Sequence, residues 1–285
     1  MANFNKHIVI VGTARSGTSW LSETIASQHR YRMLFEPEHD TQTKKGYLLC
    51  DKWILSKSES KDAHQYLRRV FNNKVDCDWI AQNSNRKLKR HLWPFVPKKY
   101  IIKFVRANLL AEFINKTYHI PVIHLIRNPY DVITSQQKVK FPWLYDLSHF
   151  AKQDRLVQLI KDKFNFDITT YIELSDVERL TLRWCIENVL PIEVFESYSN
   201  HVKLIRYEDL FSNIEVFYNL CHEFQIEPIK NLEDYYKKPS SKTHSESDIL
   251  SGKKGETNLP ESELIQINRI LDTFKTKLYP KKNMT

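Results

Sequence analysis

One stretch near the start of the chain restricts the fold more than any other: His7-Ile8-Val9-Ile10-Val11-Gly12-Thr13-Ala14-Arg15-Ser16-Gly17-Thr18-Ser19-Trp20. Four consecutive β-branched residues, Ile8 to Val11, have the character of a parallel strand covered on both faces. Gly12 ends the strand with a residue free to take positive φ, and Gly17 opens a helix. Between them the amides of residues 15–19 stand at a helix N-terminus, where unsatisfied N–H groups and the helix dipole favour an anion. The chain holds only five glycines; two lie in this turn and two more, Gly252 and Gly255, lie in a second polar loop near the C-terminus. A strand, a tight polar loop and a helix of this kind form a phosphate cradle.

The spacing Gly12-x-x-x-x-Gly17 is that of a Walker A loop, but Thr18-Ser19 follows where a nucleotide triphosphatase places Lys and then Ser or Thr. The cation sits inside the loop instead, as Arg15. The string Thr-Ala-Arg-Ser-Gly-Thr-Ser-Trp resembles the 5′-phosphosulfate loop of sulfotransferases, enzymes that use 3′-phosphoadenosine 5′-phosphosulfate (PAPS). Cytosolic members usually carry Lys at the Arg15 position, whereas tyrosyl-protein and many carbohydrate sulfotransferases carry Arg. The resemblance implies that Arg15, Ser16, Gly17, Thr18, Ser19 and Trp20 contact the nucleotide, with Arg15 also serving the chemistry.

Further motifs follow in order. A short strand over 31–35 ends at Glu36-Pro37-Glu38-His39-Asp40, on the edge where phosphate loops of open α/β sheets sit. This resembles the Glu-Pro segment of carbohydrate sulfotransferases, and the resemblance makes Glu36 the base, with His39 as the competing candidate. A second buried strand, Tyr100-Ile-Ile-Lys-Phe-Val105, is interrupted by Lys103, a cation that calls for an anion. Cytosolic sulfotransferases end the matching strand in Lys-Thr-His and use the histidine as base. Here the match is Lys103-Phe104-Val105, which turns the choice toward Glu36; Arg106 is a neighbouring candidate contact. The third strand, Pro121-Val-Ile-His-Leu-Ile-Arg127, runs into Asn128-Pro-Tyr-Asp-Val-Ile-Thr-Ser135, a helix with proline near its first position. Arg127 and Ser135 resemble the family's 3′-phosphate site, and the planar fork of Arg suits phosphate oxygens. His124, inside the strand, reads as a packed core residue. A strand over 201–206 enters Tyr207-Glu-Asp-Leu210, where the resemblance brings Tyr207 toward the adenine. Ser251-Gly252-Lys253-Lys254-Gly255 resembles the C-terminal loop that closes over the 3′-phosphate, without the full Arg-Lys-Gly…Gly-Asp-Trp pattern of cytosolic members.

Between these motifs the pattern is less specific. Residues 41–99 read as an insertion over the sheet edge, with a helix over 61–72 and a basic cluster over 86–91; insertions of this kind commonly form acceptor pockets. Phe141, Pro142, Trp143 and Tyr145 form an aromatic segment able either to stack on a sugar or to cover the core. Helices are expected over 20–29, 107–117, 153–163, 176–198 and 259–277.

The 285 residues, 41% hydrophobic and 12% aromatic, suffice for one sizeable α/β domain over 1–285, with a nucleotide-closing loop at about 236–258. A net charge of +9 favours anionic partners without choosing among them. Cys50, Cys77, Cys185 and Cys221 show no paired spacing and no nearby His pattern for zinc. The opening residues lack a basic-then-apolar signal segment, and no run approaches the ~18 apolar residues of a membrane span. We therefore expect a soluble, cytoplasmic enzyme with no nucleic-acid partner and no metal. Its fold would be a P-loop NTPase-like three-layer sandwich, with a central parallel sheet flanked by helices. Its reaction would be transfer of a sulfuryl group from PAPS to an acceptor hydroxyl, which the Glu-Pro segment and the loop arginine by analogy turn toward a carbohydrate or glycan, with a small molecule also among the possible acceptors. Glu36, Arg15 and Lys103 would carry the chemistry. The alternatives are a P-loop kinase or NTPase, against which the missing Walker lysine stands, and a non-catalytic nucleotide-binding module.

Overall fold

Successive side chains of strand β1 (Ile8–Val11) enter two different cores, and this alternation sets the layers. Val9 and Val11 join Leu34, Ile102 and Val122 on one face, under the helices Lys61–Phe71 and Ala111–Tyr118. Ile8 and Ile10 join Ile101, Ile123 and Leu125 on the other, under Thr18–Ala26 and Ile214–Glu223. All four residues of β1 are at most 2% exposed, as a doubly covered strand requires. A third cluster, built around Tyr130, Leu180, Trp184 and Ile270, gathers the helices Pro129–Val139, Asp176–Trp184 and Glu261–Thr273. This computed structural model describes residues 6–27, 31–75, 77–82, 99–226, 232–236, 238–241 and 259–282. The basic cluster at 86–91, and Gly252, Lys253, Lys254 and Gly255, lie outside the described residues.

The remaining strands are β2 (Tyr31–Phe35), β3 (Lys99–Lys103), β4 (Val122–Ile126) and β5 (Val202–Arg206). They form one sheet in the order β2-β3-β1-β4-β5, and every pairing is parallel. The expected parallel sheet between helical layers is therefore what the chain forms. Register matters for the site. Phe35 and Ile10 both lie level with Lys103, Val11 with His124, and Ile126 with Arg206. The loops after all five strands thus open at one carboxyl edge.

Local readings need three corrections. Gly12 does not take positive φ; among the described glycines only Gly17 does. What Gly12 supplies is close approach, since a Cβ there would lie 2.4 Å from the Leu125 carbonyl oxygen of β4. The single helix expected over 176–198 is α-helical only over Asp176–Trp184, then widens to π-type turns over Cys185–Val194 that contain Pro191. Proline has no N–H to donate, so the regular ladder cannot pass through it. The final helix ends at Thr273, four residues before the expected end at Lys277. No helix among the described residues is long and apolar enough to cross a membrane.

Candidate active site

The phosphate loop is built as its glycine spacing suggests. Arg15 (φ 74°) and Gly17 (φ 95°) both take left-handed backbone, which turns the chain between β1 and the helix Thr18–Ala26. For Arg15 that conformation costs about 1–2 kcal/mol, so the surroundings must hold it. They do. Ser16 N donates to Thr13 O at 3.0 Å, Gln136 Nε2 to Ala14 O at 2.9 Å, and Asn188 Nδ2 to Thr13 Oγ1 at 2.8 Å. The helix begins with no side-chain cap and no acidic residue in its first turn, so its leading amides and its positive end are left for an anion.

Arg127 comes from the end of β4 to meet Arg15 in this loop. Arg127 donates through Nη1 to Arg15 O at 3.2 Å, and its guanidinium lies over the Tyr207 ring, 4.8 Å from the centroid. Burial and the neighbouring Arg127 charge both weaken the hold of Arg15 on its proton. Two guanidiniums side by side, half-buried, repel unless an anion joins them. Ser135 Oγ accepts from Arg15 Nε at 2.9 Å, which brings the two residues of the nucleotide reading together and leaves the hydroxyl able to donate. Ser16 Oγ and Arg127 Nε are buried and meet no hydrogen-bond partner. Buried polar atoms without partners are uncommon, and here both belong to a cradle of cations and amides that a bound phosphate oxygen would satisfy.

Tyr207 closes the cradle. Its ring packs so tightly on Gly17 that a Cβ there would lie 2.5 Å from the ring, and Trp20 stands edge-on to both Tyr207 and Tyr236. Trp20 Nε1 also donates to Tyr236 O at 3.2 Å. Glu208, the next residue, accepts from Asn128 N and from Tyr279 Oη, each at 2.8 Å, and so ties the loops after β4 and β5 together.

On the other side of β1, the end of β2 meets the end of β3. Glu36 N donates to Lys103 O at 2.9 Å, and Lys103 Nζ lies 2.5 Å from Glu36 Oε1. The ammonium also lies 4.1 Å from the centre of the Phe35 ring. Lys103 therefore has its anion, and it is the candidate base. His39, the competing candidate, is held in place: its backbone N–H donates to Glu36 O at 3.1 Å, and its ring stands edge-on to Trp79 at 4.6 Å. Burial holds the imidazole below its ordinary pKa.

Arg106 is not a free contact for phosphate. It grips Asp40 with two bonds, at 3.0 and 3.2 Å, and reaches Asp51 at 3.4 Å. Asp51 in turn meets the fully buried Arg183, which also bonds Glu187 at 3.0 Å. Burial pushes the Glu187 carboxyl up to about 7, despite Arg183 beside it. His124 is a core residue as expected: Nδ1 meets Tyr198 Oη at 2.7 Å, Nε2 meets Asn188 Oδ1 at 3.1 Å, and burial lowers its pKa to about 4. Asp40, Cys50 and His149 bring ligand-capable atoms within 4.8 Å of one another, a grouping no local spacing announces. The Asp40 carboxylate in it already serves Arg106. Of the aromatic segment, Leu144 packs in the core, Trp143 lies under the Arg106 and Arg183 guanidiniums, and Phe141 is exposed.

Sequence reasoning missed Glu38. It is fully buried, its Oε1 accepts from Val105 N at 2.7 Å and Arg106 N at 3.1 Å, and burial together with nearby Glu36 pushes its carboxyl up to about 8. Its signal was present, since a second acid two residues after the candidate base is an expensive thing to bury.

The family described as Sulfotransferase domain matches residues 5–250. Comparison with curated proteins returned no match. Among solved structures, the chain is similar to the sulfotransferase domain of the Synechococcus PCC 7002 olefin synthase, at 16% identity and TM-score 0.47 over 98% of both chains. It is also similar to mouse sulfotransferase SULT7A1 complexed with PAP, at 14% identity and TM-score 0.48, covering 97% of this chain and 87% of that one. A third is retinol dehydratase in complex with androsterone and the inactive cofactor PAP, at 15% identity and TM-score 0.45, over 100% and 84%. With the family match spanning most of its length and a phosphate cradle at the head of its sheet, this chain belongs to the sulfotransferases and is a PAPS-dependent sulfotransferase.

Proposed function

We propose that the enzyme moves the sulfuryl group of PAPS onto a carbohydrate or glycan hydroxyl, with Glu36 as the base and with Arg15 and Lys103 as the cations flanking the transfer. The observation that carries the nucleotide half is the pair Arg15 and Arg127 around an uncapped helix N-terminus, with Ser16 Oγ and Arg127 Nε lacking partners. In this reading the amides of residues 16–20 and Arg15 take the 5′ end. Arg127 and Ser135, whose Oγ also accepts from Arg15, take the 3′-phosphate, and Tyr207 and Trp20 lie along the adenine. Gly252, Lys253, Lys254 and Gly255 are assigned to the 3′-phosphate side on sequence grounds.

PAPS supplies an activated sulfuryl group whose bond to phosphate breaks as the acceptor oxygen bonds to sulfur. Glu36 removes the acceptor proton, for which its place at the strand end beside Lys103 suits it. Lys103, held by Glu36 and packed on Phe35, is a fixed positive charge for the negative charge that develops on the leaving oxygen. The glycan assignment is supported by the Glu36-Pro37 segment and by Arg, in place of Lys, in the phosphate loop. A second reading, a ring-bearing small-molecule acceptor, is favoured by the aromatic edge that Phe35, Trp79 and His39 form beside Lys103. All four cysteines are free thiols, in keeping with the cytoplasmic setting included in the proposal. An assay with labelled PAPS over glycan, phenol, lipid and peptide hydroxyls tests it; label on glycans supports the first reading, on phenols the second, and on none overturns both.

A further inference from the structure

We infer that Glu38 is a positioning residue, whose carboxyl clips the turn bearing Glu36 onto the end of β3 and so fixes Glu36 against Lys103. The inference deepens the proposal above and rests on its reading of Glu36 as the base.

The edge strand β2 leaves the sheet at Glu36. Its last ladder bond is Glu36 N to Lys103 O, and at φ 44° Glu36 turns the chain away. Pro37 follows, with no N–H to continue the ladder. The chain just past β3, however, stays with the sheet for one more bond. Phe104 N, just past β3, still donates toward β1, to Ile10 O, and the next N–H, that of Val105, is turned to the side β2 has left. Glu38 fills that gap: its Oε1 takes the N–H groups of Val105 and Arg106 together. The carboxyl does the work of the missing strand residues.

The same turn is held at a second point, since Pro37 O accepts from Tyr66 Oη at 2.8 Å and from Thr43 Oγ1 at 3.0 Å. Between these anchors Glu36 has little freedom, and its carboxylate stays on the ammonium that leaves β3 two residues before Val105. Without Glu38, two buried amides would face no acceptor and the turn could drift from Lys103. Glu38 Oε2 is buried without a partner. Burial, with Glu36 beside it, raises the carboxyl to about 8, which favours the uncharged form and disfavours a second negative charge beside the base. One neutral carbonyl oxygen at the right reach is the whole requirement, and glutamine supplies it.

The test compares Glu38→Gln, Glu38→Asp and Glu38→Ala, alongside Glu36→Gln, in the full-length enzyme. Turnover is read with labelled PAPS and whichever hydroxyl of the acceptor panel the unaltered enzyme sulfates, and PAP affinity by calorimetry reports that each variant is folded. We expect Glu38→Asp, one methylene too short, and Glu38→Ala to lower kcat by about 10- to 100-fold with PAP affinity and KM for PAPS nearly unchanged, the scale of loss for a displaced catalytic group. Glu38→Gln should recover most of the turnover. If Glu38→Ala does not fold, the contrast between Gln and Asp still decides. A dead Glu38→Gln enzyme that binds PAP would overturn the inference by showing that a charge is needed, as would unimpaired turnover in Glu38→Asp. Near-normal turnover in Glu36→Gln would instead remove the base assignment, whatever the order of the Glu38 variants.

Discussion

Lys103 Nζ and Glu36 Oε1 lie 2.5 Å apart, joining the last residue of β3 to the first residue beyond β2. Both side chains are largely shielded, at 3% and 13% exposure, so water screens the pair weakly. The pairing places a carboxylate and a fixed cation at one point of the carboxyl edge, one strand away from the phosphate loop after β1.

Arg127→Ala should weaken PAP binding by about 1.5–3 kcal/mol, the range for a hydrogen bond to a charged group, and leave AMP affinity almost unchanged. Calorimetry with the two nucleotides separates loss of the 3′-phosphate contact from general damage. Equal losses would mean that Arg127 serves the fold through Arg15 O and the Tyr207 ring.

Gly17→Ala places a methyl group against the Tyr207 ring at a position with φ of 95°. The backbone alone should cost about 1–2 kcal/mol of stability, and displacement of Tyr207 should lower PAP affinity as well. Urea unfolding and calorimetry on one preparation measure both effects.

The phosphate loop, the five strands and the alignment of Glu36, Lys103, Arg127 and Tyr207 at strand ends were legible because each is a local signal. What stayed hidden depends on distant partners. Arg106 read as a spare cation beside Lys103, yet its partners Asp40 and Asp51 lie 66 and 55 residues away in sequence. The bond that Ser135 Oγ accepts from Arg15, 120 residues earlier, is likewise announced by nothing in its neighbourhood. The role of the Glu38 carboxyl is not readable locally, because the gap it fills exists only once β2 turns away while the chain just past β3 stays beside it. Gly12 was rightly singled out for the wrong reason, since a close strand neighbour cannot be read from local sequence.

Asp51→Ala should destabilise the fold by about 3–5 kcal/mol, because it strips the carboxylate from Arg183 and weakens the hold on Arg106 inside the protein. Urea midpoints compare it with Asp62→Ala, an acid in the first turn of an outer helix, which should shift little.

The pH dependence of stability has a definite sign. Glu38 is raised from 4.5 to about 8 and Glu187 to about 7, so the folded state binds more protons than the unfolded one across that span, and stability falls as pH rises through it. His7 and His124, lowered from 6.5 to about 4, act oppositely: stability rises with pH from about 4 to 6.5. Above 6.5 the slope of the two acids is left unopposed by these histidines. Urea midpoints should therefore decline between about pH 6.5 and 8, and Glu38→Gln should flatten part of that decline.

The most direct measurement is turnover of Glu36→Gln with labelled PAPS and an accepted hydroxyl, beside His39→Ala and with PAP affinity measured on the same preparations. Glutamine keeps the shape of Glu36 but cannot take the proton. We expect PAP affinity to hold, turnover to fall by about 10²- to 10⁴-fold, the usual contribution of a positioned base, and His39→Ala to cost far less. A Glu36→Gln enzyme with near-normal turnover, next to an inactive His39→Ala enzyme that still binds PAP, would contradict the assignment and move the base to His39.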